Sequence, residues 1–64
     1  MKKLDTYQRH LVKKLFGYKK QSEFFEEVKN KGAIEKEGVT IRFDNNNVIC
    51  ELSLIYGKQQ YLFN

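Results

Sequence analysis

The apolar residues of this 64-residue chain change their spacing once, at Gly32, and that change limits the architecture more than any other feature. Before Gly32 they recur at helical intervals; after it they alternate. A helical stripe buries one side of a helix and an alternating run buries one side of a strand, so an N-terminal helical part and a C-terminal sheet must share one core. A chain of this length buries only about 60 % of its unfolded surface, which leaves room for a single small domain. The expected class is α+β, with two N-terminal helices packed on one face of a three-stranded antiparallel β-meander. A fourth strand joins if residues 33–36 fold back through Glu37-Gly38.

In the helical part, Leu4, Tyr7, Leu11, Leu15 and Tyr18 form a stripe that Val12 and Phe16 widen, opposite Lys2, Lys3, Arg9, His10, Lys13 and Lys14. Asp5 followed three residues later by Gln8 predicts a capping box, and Gly17 predicts a left-handed stop. Ser22 is the expected cap of a second, short helix. Glu23, Glu26 and Glu27 suit its positive pole, Lys29 and Lys31 its negative pole, and Phe24, Phe25 and Val28 its buried side. The apolar spacing also continues through Tyr18, Ser22 and Phe25, so one helix running through Gly17 is the competing reading.

In the sheet part, residues 48–56 are the longest strand-like run, with Val48, Cys50, Leu52, Leu54 and Tyr56 on one side. Before it, Val39, Ile41 and Phe43 alternate, and residues 44–47 supply turn chemistry for a four-residue loop that sets Phe43 opposite Val48. After it, Gly57-Lys58 suits a two-residue hairpin turn that would set Tyr56 against Gln59, Leu54 against Tyr61 and Leu52 against Phe63. Both registers place the apolar side chains on one face. The expected core is Leu4, Tyr7, Leu11 and Leu15 of the first helix, Phe25 and Val28 of the second, and Val39, Ile41, Phe43, Val48, Cys50, Leu52, Leu54, Tyr61 and Phe63 of the sheet.

Little in the chain offers chemistry. One cysteine excludes an internal disulfide and any multi-cysteine zinc site, and the single histidine, His10, falls among lysines on the polar side of the first helix. Cys50 lies on the core side of the central strand, where a thiol behaves as a small hydrophobe. The four glycines are isolated, so no phosphate loop is present. No catalytic residue, metal or cofactor is expected, and an enzyme is not the reading favoured here.

Charge is uneven. Residues 1–20 carry a net +6 and residues 21–64 a net −2, for a total of +4. Phe, Tyr, Met, Ile, Asn and Lys number 29 against 7 for Gly, Ala, Arg and Pro, a bias toward AT-rich codons that suggests a low-GC bacterium or one of its phages or mobile elements. No secretory or membrane-spanning segment is read, and a free thiol suits a reducing compartment, so a cytoplasmic location in a bacterial or host cell is expected.

Two functional readings follow. The last run, residues 59–63, is uncharged and proline-free, an unguarded edge strand, and the sheet face opposite the helices carries Ile49, Ile55 and Leu62. The favoured reading is a small regulatory or inhibitory protein that binds a partner protein, or a second copy of itself, through Ile49, Ile55, Gln60, Tyr61 and Leu62. The alternative is a nucleic-acid-binding protein that lays Lys2, Arg9, Lys13 and Lys14 along phosphates. A helix-turn-helix is disfavoured because the second helix would present Glu23, Glu26 and Glu27 to the phosphates, after a five-residue turn over 17–21.

Overall fold

The computed structural model describes residues 1–54 and 57–63, with Leu54 described by its backbone only. Among these residues the elements run β1 (Lys2–Lys3), α1 (Thr6–Phe16), α2 (Gln21–Lys31), β2 (Ala33–Lys36), β3 (Val39–Asp44), β4 (Asn47–Leu54) and β5 (Gly57–Leu62). The strands form one five-stranded sheet in the order β1-β5-β4-β3-β2. The α+β class therefore holds, but the sheet is mixed where a three- or four-stranded antiparallel meander was expected, because β1 pairs parallel to β5.

Local chemistry accounts for most element ends. The Gln8 amide donates to the Asp5 carboxylate at 2.7 Å and the Asp5 amide donates to the Gln8 side-chain carbonyl at 3.0 Å, the reciprocal cap read from the sequence. Gly17, at φ 71°, ends α1 with its amide donating to the Lys13 carbonyl, and this break separates two helices where one continuous helix was the competing reading. The start of α2 differs from expectation: Lys20 is the capping position, Ser22 lies inside the helix, and no side chain caps it. Packing sets that start instead, since Tyr18 stacks on Phe24 with ring centroids 4.2 Å apart.

The first two hairpins follow their turn residues. Asn45 and Asn46 both adopt positive φ, 47° and 66°, so the expected four-residue loop closes to two residues with Asp44 paired to Asn47, and the register Phe43 to Val48 stands. Turns with two positive-φ residues match the natural twist of the strands. Glu37 and Gly38 do the same between β2 and β3.

The last hairpin does not follow its expected turn. Leu54 pairs with Gly57, Leu52 with Gln59 and Cys50 with Tyr61, a shift of four residues from the register set by a Gly57-Lys58 turn; the expected pair of Tyr56 with Gln59 falls on a residue outside those described. A four-residue shift, like any even one, leaves every side chain on its own face, so alternation alone could not distinguish the registers. The shift brings Phe63 beside Val48, whose carbonyl accepts from the Phe63 amide at 2.7 Å. There Phe63 is fully buried against Phe25 (5.1 Å, edge-on), Phe24 (6.1 Å) and Tyr18 (6.5 Å).

The core consists of Leu4, Val12, Phe24, Val28, Ile41, Val48, Cys50 and Phe63, with Phe16, Tyr18, Phe25, Ile34, Val39, Phe43, Leu52 and Tyr61 partly buried around it. Two expected core residues of α1 point outward: Tyr7 is 72 % exposed and Leu11 49 %, while Val12 is 4 % exposed. The helix is turned by about one residue, roughly 100°, relative to the expected stripe. Both of its ends impose this. Leu4 is held at the sheet by its amide bond to the Leu62 carbonyl, and Phe16 is drawn to Phe24 at 5.6 Å. In α2, Val28 and Phe24 are buried and Phe25 is half-buried.

Candidate functional site

The sheet face away from the helices carries Ile49, Leu62, Arg42, Thr40 and Glu51, as the strand registers dictate. Ile49 is only 5 % exposed, although no helix lies over it. Its cross-strand neighbours are Arg42 and Leu62. The Arg42 guanidinium donates through Nε to Glu51 and through NH1 to Asp44 at 3.3 Å, which holds the arginine down on the sheet. The bond to Glu51 pushes Arg42 above its ordinary range, so the group stays charged. An arginine stem pinned in this way covers apolar surface with its methylenes. Of the expected apolar patch on this face, Ile49 is therefore sealed by its neighbours and Leu62 is half-buried.

The other expected interface residues fare differently. Ile55 lies outside the described residues, Gln60 is exposed, and Tyr61 and Leu62 are half-buried. The outer edge of β5 was expected to be free along its length, but β1 covers it where Lys2 pairs with Tyr61 and Lys3 with Leu62. A two-residue strand carries no periodicity, so the sequence gives no sign of it; the only cue is that Leu4, immediately after it, is apolar enough to anchor the segment. Beyond Lys2, Gln59 and Gln60 have no neighbouring strand on that side among the described residues.

The outward surface of α1 is the feature that the sequence reading missed. Tyr7 and Leu11 stand exposed on it. Behind Leu11 a cleft of about 110 Å³ opens between α1 and the sheet, lined by Leu4, Gln8, Leu11, Val12, Leu15, Val39 and Leu52. All but Gln8 are apolar. The signal was present: seven apolar residues at 4, 7, 11, 12, 15, 16 and 18 span more of the helical wheel than one sheet can cover.

The four residues of the nucleic-acid reading are separated. Lys2 is on the edge strand, while Lys14 lies beside Tyr7 and Leu11 on a shallow hollow that also meets His10, Lys13, Gly17 and Tyr18. Lys13 also borders an adjoining hollow of about 220 Å³, where it joins Arg9 together with Thr6, His10, Tyr18, Lys19 and Gln21. Arg9 is half-buried there, donating to the Gln21 side-chain carbonyl at 3.3 Å with its guanidinium 5.5 Å from the centre of the Phe63 ring. Burial pushes the Tyr18 phenol up, against the opposing pull of Arg9. Among the described residues the ion pairs are Lys31 with Glu27 and Arg42 with Asp44 and Glu51, so the lysines of α1 and of the turn after it carry no carboxylate partner.

Cys50 is fully buried, and desolvation, with a smaller contribution from Glu51, pushes its thiol up to about 11. At neutral pH it is a protonated core residue. No group of three potential metal ligands occurs among the described residues, and no helix of theirs is long and apolar enough to cross a membrane. No protein-family model, curated protein or solved structure matches this chain.

Proposed function

We propose that this chain is a small non-enzymatic binding protein that regulates or inhibits a partner protein by covering part of its surface, using the outward side of α1 in place of the β5 edge. The observation that carries this reading is Leu11, half exposed at the mouth of the apolar cleft that reaches Val39 and Leu52. Large apolar side chains held at the surface beside a dry hollow are what a binding surface presents before its partner arrives. The cleft has room for one side chain of leucine size, and Tyr7 beside it offers a rigid aromatic anchor. Lys14 on the same surface favours a partner whose apolar anchor is flanked by acidic residues.

Affinity capture from a source-cell lysate, with three baits run in parallel, tests this. A partner retained by the wild-type chain and by Leu62→Lys but lost with Leu11→Asp supports docking on α1. Retention by Leu11→Asp with loss on Leu62→Lys returns the interface to the sheet. Light scattering of the purified chain identifies the case in which the partner is a second copy, because a dimer that dissociates on Leu11→Asp would use the same surface.

A further inference from the structure

We propose that the corner where α1 meets α2 is a phosphate-binding site, which adjoins the apolar docking surface but uses a different set of side chains. Arg9, His10, Lys13 and Lys19 line one hollow together with Thr6 and Gln21, and no carboxylate is among its lining residues. Three of these side chains are cations at neutral pH, and they border one hollow of about 220 Å³. Like charges around one hollow repel, and neither lysine has a carboxylate partner in the described structure. An anion that enters the hollow removes that repulsion and gains several charge-assisted hydrogen bonds at once.

The donor set indicates which anion. Arg9 is held by Gln21 on one side and lies over Phe63 on the other, and the other N–H groups of its guanidinium can donate to a tetrahedral oxyanion. Lys13 and Lys19 approach from the last turn of α1 and from the segment after it, so their flexible stems can close on such a group from two directions. The Thr6 hydroxyl and the Gln21 side chain supply neutral hydrogen bonds. Phosphate, with four oxygens and up to two charges, uses more of these donors than a carboxylate would. The chemistry is common to a nucleic-acid backbone and to a small phosphorylated molecule. Lys14, next to Lys13 in sequence, is exposed and borders the adjoining hollow with it, extending the charge beyond one phosphate, which favours the polymer as the stronger ligand.

Backbone and side-chain amide NMR of the full chain, titrated at low salt with inorganic phosphate in one arm and a mixed-sequence DNA duplex in the other, tests the site. Shifts confined to Arg9, His10, Lys13, Lys19 and their neighbours are expected in at least one arm. A Lys13→Gln, Lys19→Gln double variant should bind about tenfold weaker or less tightly still. In the DNA arm its log-log salt slope should fall by about 1 for each lysine removed. Response to DNA at far lower concentration than to phosphate assigns the polymer; response to phosphate alone assigns a small ligand. Leu11→Ala, which removes the docking side chain without adding a charge beside Lys13 and Lys14, should leave both titrations unchanged, which separates this site from the docking surface. Silence in both arms, or shifts spread evenly over Lys29, Lys31 and Lys36 and unaffected by the double variant, overturns the proposal. Both lysines are solvent-exposed, so the double variant keeps the fold, and its thermal melt verifies this.

Discussion

The two faces of the sheet bury apolar residues by different means. On the helix side, Phe63 disappears beneath Tyr18, Phe24 and Phe25, a layer of side chains supplied by another element. On the other side, Ile49 is buried between its cross-strand neighbours Arg42 and Leu62, with Glu51 and Asp44 holding the arginine in place. A small domain with one helical layer cannot cover both faces with helices, and the second face closes by pinning a long charged side chain flat. An apolar residue on an uncovered face is therefore weak evidence for a partner until its cross-strand neighbours are known.

Substitutions on the two faces test that contrast. Phe63→Ala should cause the largest loss, about 3–5 kcal/mol in urea unfolding, enough to leave a domain of this size marginal. Ile49→Ala should cost about 2–3 kcal/mol if the open face truly excludes water; a value below about 0.5 would mean that Arg42 leaves it wet. Cys50 probes the helix side through pH. Its folded thiol titrates near 11 against an ordinary value of 9.0, so the unfolded chain loses its proton first. The stabilisation is complete below pH 9 and is lost as pH rises toward 11, at up to about 1.4 kcal/mol per unit. Urea curves at pH 8 and 10.5 should show this loss in the wild type beyond that in Cys50→Ala.

Arg42→Met retains an apolar stem and discards the charge. It should cost about 1 kcal/mol, since Glu51 can turn to water, and Ile49 should remain protected from amide exchange. Leu11→Asp, at the margin of the helix side, should cost only about 0.5–1 kcal/mol, from lost half-burial and helix propensity, while abolishing partner capture.

How legible the chain was depended on whether a feature was local. The Asp5–Gln8 cap, the Gly17 stop and the pairing of Phe43 with Val48 across the asparagine turn are made by residues within a few positions of each other, and each could be read directly, although the turn is two residues long and not four. The Gly57-Lys58 turn was equally plausible on local grounds, yet the Leu54 to Gly57 register was chosen because it carries Phe63 to the aromatic cluster. The candidate site was less legible still. Of the residues assigned to an interface, Ile49 is buried and Tyr61 and Leu62 are half-buried, whereas Leu11 and Tyr7, assigned to the core, are exposed. A stripe wider than its partner surface does not say which of its margins will stay dry.

The sequence alone determined the two helices, the alternation of the strands and the face on which each strand residue lies, because those depend on spacing and on turn chemistry within a few residues. Only the tertiary structure decided the parallel β1 edge, the register of β5 and the rotation of α1. Each of these was selected by contacts between residues far apart in the chain, where Leu4, Phe16 and Phe63 are held by partners that no local pattern identifies.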